Sequence, residues 1–109
     1  MSVALQPALN ADADFDAWYR KEHLRLLSQC PGYRRSRRFK VVNATVLDGF
    51  VRKEPEVPQY LALHEFDGED FPFTELGPTA DTEWAKRIMG NTRAAEVGWY
   101  RLKRVYNGE

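Results

Sequence analysis

From Phe15 to Cys30 the chain repeats with a three-four spacing. Phe15, Trp18, Tyr19, Leu26, Leu27 and Cys30 share one side, and Asp16, Arg20, Lys21 and Arg25 fall largely elsewhere. That period predicts an amphipathic helix. Asp12, Asp14 and Asp16 place acid at its start, where caps and the helix dipole favour it. Pro31-Gly32 stops it. His23 falls on the apolar side, so an ionisable ring is expected to face the core.

The rest of the chain changes period. Ser2 to Gln6 predicts a short strand ended by Pro7, and Tyr33 to Val42 predicts another. In the second, Tyr33, Arg35, Arg37, Phe39 and Val41 alternate with Arg34, Ser36, Arg38, Lys40 and Val42. Residues 43–58 predict a long loop with a small hairpin around Asp48-Gly49. Gln59 to Phe66 is the most hydrophobic strand, with Tyr60, Ala62, His64 and Phe66 on one side. Residues 69–78 are acidic, aromatic and irregular, with room for a helical turn. Asp81 is expected to cap a second helix running to Met89, with Trp84 and Ile88 inward and Gly90-Asn91 at its end. Val97 to Tyr106 alternates as a final strand. The order βαββαβ predicts an α+β, ferredoxin-like antiparallel sheet with both helices on one face. The other face is left bare, and a partner sheet is expected to cover it.

Composition narrows the function. The 109 residues, 43% hydrophobic and 29% charged, suit a single domain over 1–109. Sixteen basic residues balance sixteen acidic ones, which argues against a dedicated nucleic-acid or membrane-surface protein. Cys30 is the lone cysteine, so neither an internal disulfide nor a cysteine metal cluster is expected. No apolar run has membrane-spanning length and no signal peptide is visible, so a cytoplasmic protein is expected. Glycine-rich phosphate loops, dinucleotide fingerprints and nucleophile motifs are missing, and Glu22/His23 and His64/Glu65 diverge on their elements. No metal and no cofactor is expected.

The candidate chemistry is small. His23 and His64 are the only two histidines, and each lies on the inward side of its element. Both also have an ordinary reading as buried rings satisfied by a hydrogen bond. Tyr19 sits one turn before His23 and could donate a proton. The run Arg34, Arg35, Arg37, Arg38 and Lys40 is either a solvated face with salt bridges or an anion anchor. Trp18, Trp84 and Phe66 are core residues or the walls of a site for a flat hydrophobic ligand.

The segment Phe15-Asp-Ala-Trp-Tyr-Arg-Lys-Glu-His23, Pro31-Gly32, and Arg34 to Phe39 resemble the EthD-like branch of the dimeric α+β barrel superfamily. Leu61-Ala-Leu-His-Glu-Phe-Asp67 and the Trp84 helix resemble its fungal members. The resemblance implies a homodimer with sheets packed face to face and a pocket between helices and sheet in each subunit. It implies that His23 lines that pocket, and it favours Arg38 and Arg34 as the residues of the basic run that enter it. Relatives of this type include cofactor-free cyclases, decarboxylases and dehydratases of polyketide metabolism, haem binders, and proteins without known activity. The expected function is therefore proton-driven lyase or isomerase chemistry on an aromatic or polyketide-like substrate carrying an acid or enolisable β-keto group. His23, His64 and Tyr19 would be catalytic, and Arg38, Arg34, Trp84, Trp18 and Phe66 would bind substrate. The rival readings are a non-catalytic small-molecule-binding or stress-response dimer and, more weakly, a haem-binding protein with His23 or His64 as axial ligand.

Overall fold

The computed structural model describes residues 1–44, 46–48, 51–53, 58–67 and 71–108. In chain order these form β1 (Ser2–Pro7), α1 (Asp12–Trp18), a π-helical turn (Tyr19–His23), α2 (Leu24–Leu27) and β2 (Tyr33–Lys40). A short hairpin follows, β3 (Val46–Asp48) paired antiparallel with β4 (Val51–Lys53), then β5 (Tyr60–Phe66). α3 (Phe73–Leu76), a 3-10 turn (Gly77–Ala80), α4 (Glu83–Gly90) and β6 (Thr92–Gly98) complete the chain order. The main sheet is antiparallel in the order β2-β5-β1-β6. Leaving out the hairpin, that is the ferredoxin-like α+β arrangement, with the first and third strands central.

The core lies between the sheet and the helices. Leu5 from β1, Ala62 from β5, Phe15, Trp18 and Tyr19 from the first helix, and Ala85 and Ile88 from α4 form one buried cluster. Trp84 packs against it from the edge, and its indole N–H donates to Asp14 Oδ1 at 3.1 Å. Arg87 reaches the same carboxylate at 2.9 Å, so Asp14 ties α1 to α4.

Three expectations are corrected. The cap of α4 is Thr82, not Asp81: Thr82 has the extended backbone an N-cap needs, and its Oγ1 accepts from Ala85 N at 3.0 Å. Asp81 instead pairs with Lys86. The final strand is Thr92–Gly98, and residues 99–106 lie outside it. Its ladder with β1 ends at the Ser2–Gly98 pair, and Trp99 then turns onto Phe71 and Phe73 at 4.5 and 5.0 Å. The first helix is not a uniform α-helix, because a π turn interrupts it at Tyr19–His23. The predicted turn at Asp48-Gly49 and the start of the 69–78 segment fall partly outside the described residues.

The second sheet face carries Leu61, Leu63 and Glu65 from β5 and Arg37 from β2, and among the described residues no helix lines the cleft on it. Glu65 pairs there with Arg35 and, at 4.0 Å, with Arg37. Tyr100 and Leu102 stand beside this face, 73% and 77% exposed, and help to line a cleft of about 530 Å³.

Gly32, between the first helix and β2, fixes how the helix meets the sheet. Its φ is +80°, and a Cβ there would lie 2.6 Å from the Asp67 carbonyl oxygen at the end of β5. The same two residues share a backbone hydrogen bond, Asp67 N to Gly32 O. Gly32→Ala is expected to cost roughly 1–2 kcal/mol through the left-handed backbone alone, with the clash added. Chemical unfolding of the variant checks this, and an unchanged midpoint would contradict it.

Candidate functional site

The π turn decides which side chains meet. In an uninterrupted α-helix, residues five apart point about 140° away from each other. Widening one turn brings them onto one line, and π turns inside helices recur at functional sites. Here Trp18 and His23, five apart, stack at 4.3 Å with 20° between planes. Tyr19 meets His23 edge-on at 5.0 Å. Phe15, Trp18, Tyr19, His23 and Leu27 are all buried as a result.

His64 comes up from β5 beneath this helix. It is 1% exposed, and its ring lies 6.3 Å from Tyr19 and 6.4 Å from His23. Its Nδ1 lies 2.6 Å from Ser36 Oγ, and Ser36 Oγ lies 2.7 Å from the Tyr33 hydroxyl. Ser36 stands directly across from His64 in the β2–β5 ladder. Tyr33 would point to the opposite face by simple alternation. The register shift between Tyr33 and Arg35 turns it to the Ser36 side.

A cavity of about 180 Å³ opens beside His23, lined by Trp18, Tyr19, Leu27, Thr79 and Val97 among others. Its walls are mainly apolar. Two of its lining residues carry a buried polar atom without a hydrogen-bond partner, Trp18 Nε1 and His23 Nδ1, and His64 Nε2 is a third such atom nearby. Native interiors rarely leave such groups unmatched.

The electrostatics keep both imidazoles neutral. Burial pushes His23 down to about 4, while a hydrogen bond to the Thr79 backbone and the Glu22 charge oppose that and Arg38 reinforces it. Burial also pushes His64 down to about 4, helped by His23, the N-terminal ammonium and Arg38. Burial raises the Tyr19 phenol to about 12, against the pull of Arg38, so it stays a proton donor.

The residues expected from sequence divide into two groups. His23, His64 and Tyr19 come together, with His23, Tyr19 and Trp18 on the cavity wall and His64 behind them. Arg38 lies on the helix side of the sheet, but Asp16 holds it at 2.9 Å and its guanidinium stacks over Tyr19 at 4.4 Å. Arg34 bonds Asp67 at the exposed end of β5, at 3.1 Å. Trp84 is bound to Asp14, and Phe66 packs on Tyr33 and Trp99. None of these four lines the cavity. Sequence reasoning missed Ser36, Tyr33 and Thr79. The pairing of Ser36 with His64 needs the strand register, and the placement of Tyr33 needs the bulge.

The chain matches no family model and no curated protein. A solved structure is similar to it in part. That structure is an ethyl tert-butyl ether d (EthD) family protein from Bacillus halodurans C-125, 18% identical, covering 83% of this chain and 79% of that chain, with a TM-score of 0.38. A tetrapyrrole does not fit the space beside His23, since a cavity of about 150 Å³ takes one benzene. Among the described residues no helix is long and apolar enough to cross a membrane.

Both histidines have folded-state values depressed below the unfolded value of 6.5. The stability they contribute is therefore fully present above about pH 6.5 and is lost as pH falls toward 4. Each contributes a slope approaching about 1.4 kcal/mol per pH unit in that window. Denaturant unfolding at pH 7, 5.5 and 4.5 is expected to show this loss. A His64→Leu variant should show a smaller loss, and an identical pH dependence would contradict the burial of a neutral ring.

Proposed function

We propose that the chain is a cofactor-free enzyme that moves protons on an aromatic or polyketide-like substrate, with His23 as the base. The observation that carries this reading is His23 on the wall of an apolar cavity, with its buried Nδ1 lacking a hydrogen-bond partner. A neutral imidazole with a free lone pair, shielded from water, can take a proton from carbon or oxygen. Tyr19 and the Trp18 N–H stand beside it as hydrogen-bond donors to the negative oxygen that develops on an enolising substrate. Decarboxylation, dehydration and cyclisation all pass through such a charge.

Size limits the substrate. Ligand sites commonly measure about 300–1,000 Å³. The cavity of about 180 Å³ takes one ring, so a larger polyketide-like molecule would insert only its reacting ring. Arg38 would act through Tyr19, as a positioning charge. A binding dimer without catalysis is the second reading, favoured by the engagement of Arg38 with Asp16, which keeps that guanidinium off the cavity wall.

The test is exchange of the α-protons of acetophenone, a single-ring enolisable ketone, followed as deuterium incorporation by NMR. His23→Ala is expected to lower kcat/KM by about two to four orders of magnitude with folding retained. A folded His23→Ala variant with wild-type turnover would contradict the base assignment. The acid limb of the wild-type profile should lie well below pH 6.5, as the depressed imidazoles require.

The proposal includes a homodimer formed through the open sheet face, and a cytoplasmic location suited to the free Cys30 thiol. Leu61, Leu63, Tyr100 and Leu102 would be covered by a second copy. Sedimentation at micromolar concentration should show a dimer, and Leu61→Arg should shift it toward monomer. A wild-type monomer under those conditions would overturn this arrangement.

A further inference from the structure

We propose that Glu22 and Thr82 are positioning residues for His23: they clamp the turn that carries the Thr79 carbonyl, and that carbonyl holds the His23 proton on Nε2. The inference rests on the base assignment above, and it names what orients that base.

Glu22 and His23 are neighbours at the end of the π turn, and each grips the same short stretch of chain. Thr82 Oγ1 donates to Glu22 Oε2 at 2.8 Å. The same oxygen accepts from Ala85 N at 3.0 Å as the cap of α4. A hydroxyl has one proton, so these two bonds set its direction. Three residues earlier, the Thr79 backbone takes a hydrogen bond from His23. The stretch around it is closed on itself: Thr79 Oγ1 donates to Leu76 O at 2.6 Å, and Asp81 N donates to Pro78 O at 3.1 Å. A turn bonded in this way carries the position of Thr82 to the Thr79 carbonyl. Apolar packing does little to hold it, since none of the four residues of α3 is buried and Thr79 is the buried residue of the 3-10 turn. The polar clamp supplies the position that packing does not.

The consequence is a tautomer. A carbonyl can only accept, so the imidazole must donate to it. Nδ1 of His23 has no partner, so the donor is Nε2. In a neutral imidazole the hydrogen bond made by one nitrogen decides which of the two carries the proton. Nδ1 is then the nitrogen with the lone pair. Trp18 stacks on the ring at 4.3 Å, which resists tilting but not rotation within the ring plane. The Thr79 carbonyl supplies the in-plane direction. His23 and Thr79 both line the cavity, so the clamped bond belongs to its wall. A Glu22–Thr82 pair that only tied the first helix to α4 would leave the tautomer indifferent to its loss.

The experiment uses the full chain labelled with ¹⁵N-histidine, read by NMR at pH 7. Wild-type His23 should show a protonated Nε2 and an unprotonated Nδ1. Thr82→Asp keeps a capping oxygen for Ala85 N but has no proton for Glu22. It should shift His23 toward a mixture of tautomers and lower kcat/KM for acetophenone exchange about tenfold, the effect of losing one orienting hydrogen bond. Glu22→Ala, which leaves the cap untouched, should do the same. Glu22→Gln and Thr82→Ser keep the clamp and should retain the wild-type tautomer. His23 protonated on Nδ1 in the wild type would overturn the proposal, as would a wild-type tautomer in folded Thr82→Asp or Glu22→Ala. A tautomer that follows the clamp in a protein inactive on acetophenone would uphold the positioning and remove only the base assignment.

Discussion

Everything in this fold turns on keeping two uncharged imidazoles inside a hydrophobic core. Burying a polar ring costs free energy unless something compensates. Here the compensation is geometric. The π turn at Tyr19–His23 stacks Trp18 on His23 and closes Tyr19 against both histidines. Without that turn, Trp18 and His23 would point to different sides of the helix, and the apolar arc would be too wide for the sheet to cover. The helix irregularity, the core and the site are one feature.

The second constraint is the central pair of strands. β5 lies between β1 and β2, so a side chain rising from its middle meets the helix above and β2 beside it. His64 stands at that crossing. Its Nδ1 is matched by Ser36, and its Nε2 is left for the interior. Charges are kept outside this layer: Asp16 holds Arg38 and Arg20, Asp67 holds Arg34, and Glu65 holds Arg35. The basic run of β2 is therefore largely a scaffold of surface ion pairs, each worth little alone. Arg38 is the member that touches the core, over Tyr19.

The helix period and strand alternation were enough to read the βαββαβ order, the inward side of the first helix and the inward side of β5. They carry that information because burial on one face imposes the period. They do not carry register, so the Ser36–His64 pair and the bulge that redirects Tyr33 were hidden. A π turn also leaves no simple mark on spacing: Trp18 and His23, five apart, fall at opposite edges of a broad α-helical stripe, and the period does not say which turn widens to bring them together. The C-terminal strand was overextended because residues 99–106 keep an alternating pattern after their pairing partner has ended. Trp84 looked like a pocket wall because it is aromatic and inward, yet its N–H is committed to Asp14.

The most direct measurement is a pH titration of the two imidazole rings by NMR in the folded protein. Both rings should remain neutral through pH 6 and begin to protonate only near pH 4, in step with loss of the native fold. A ring that titrates near 6.5 with the fold intact would show that it reaches water, and the sealed, neutral histidine pair would not exist.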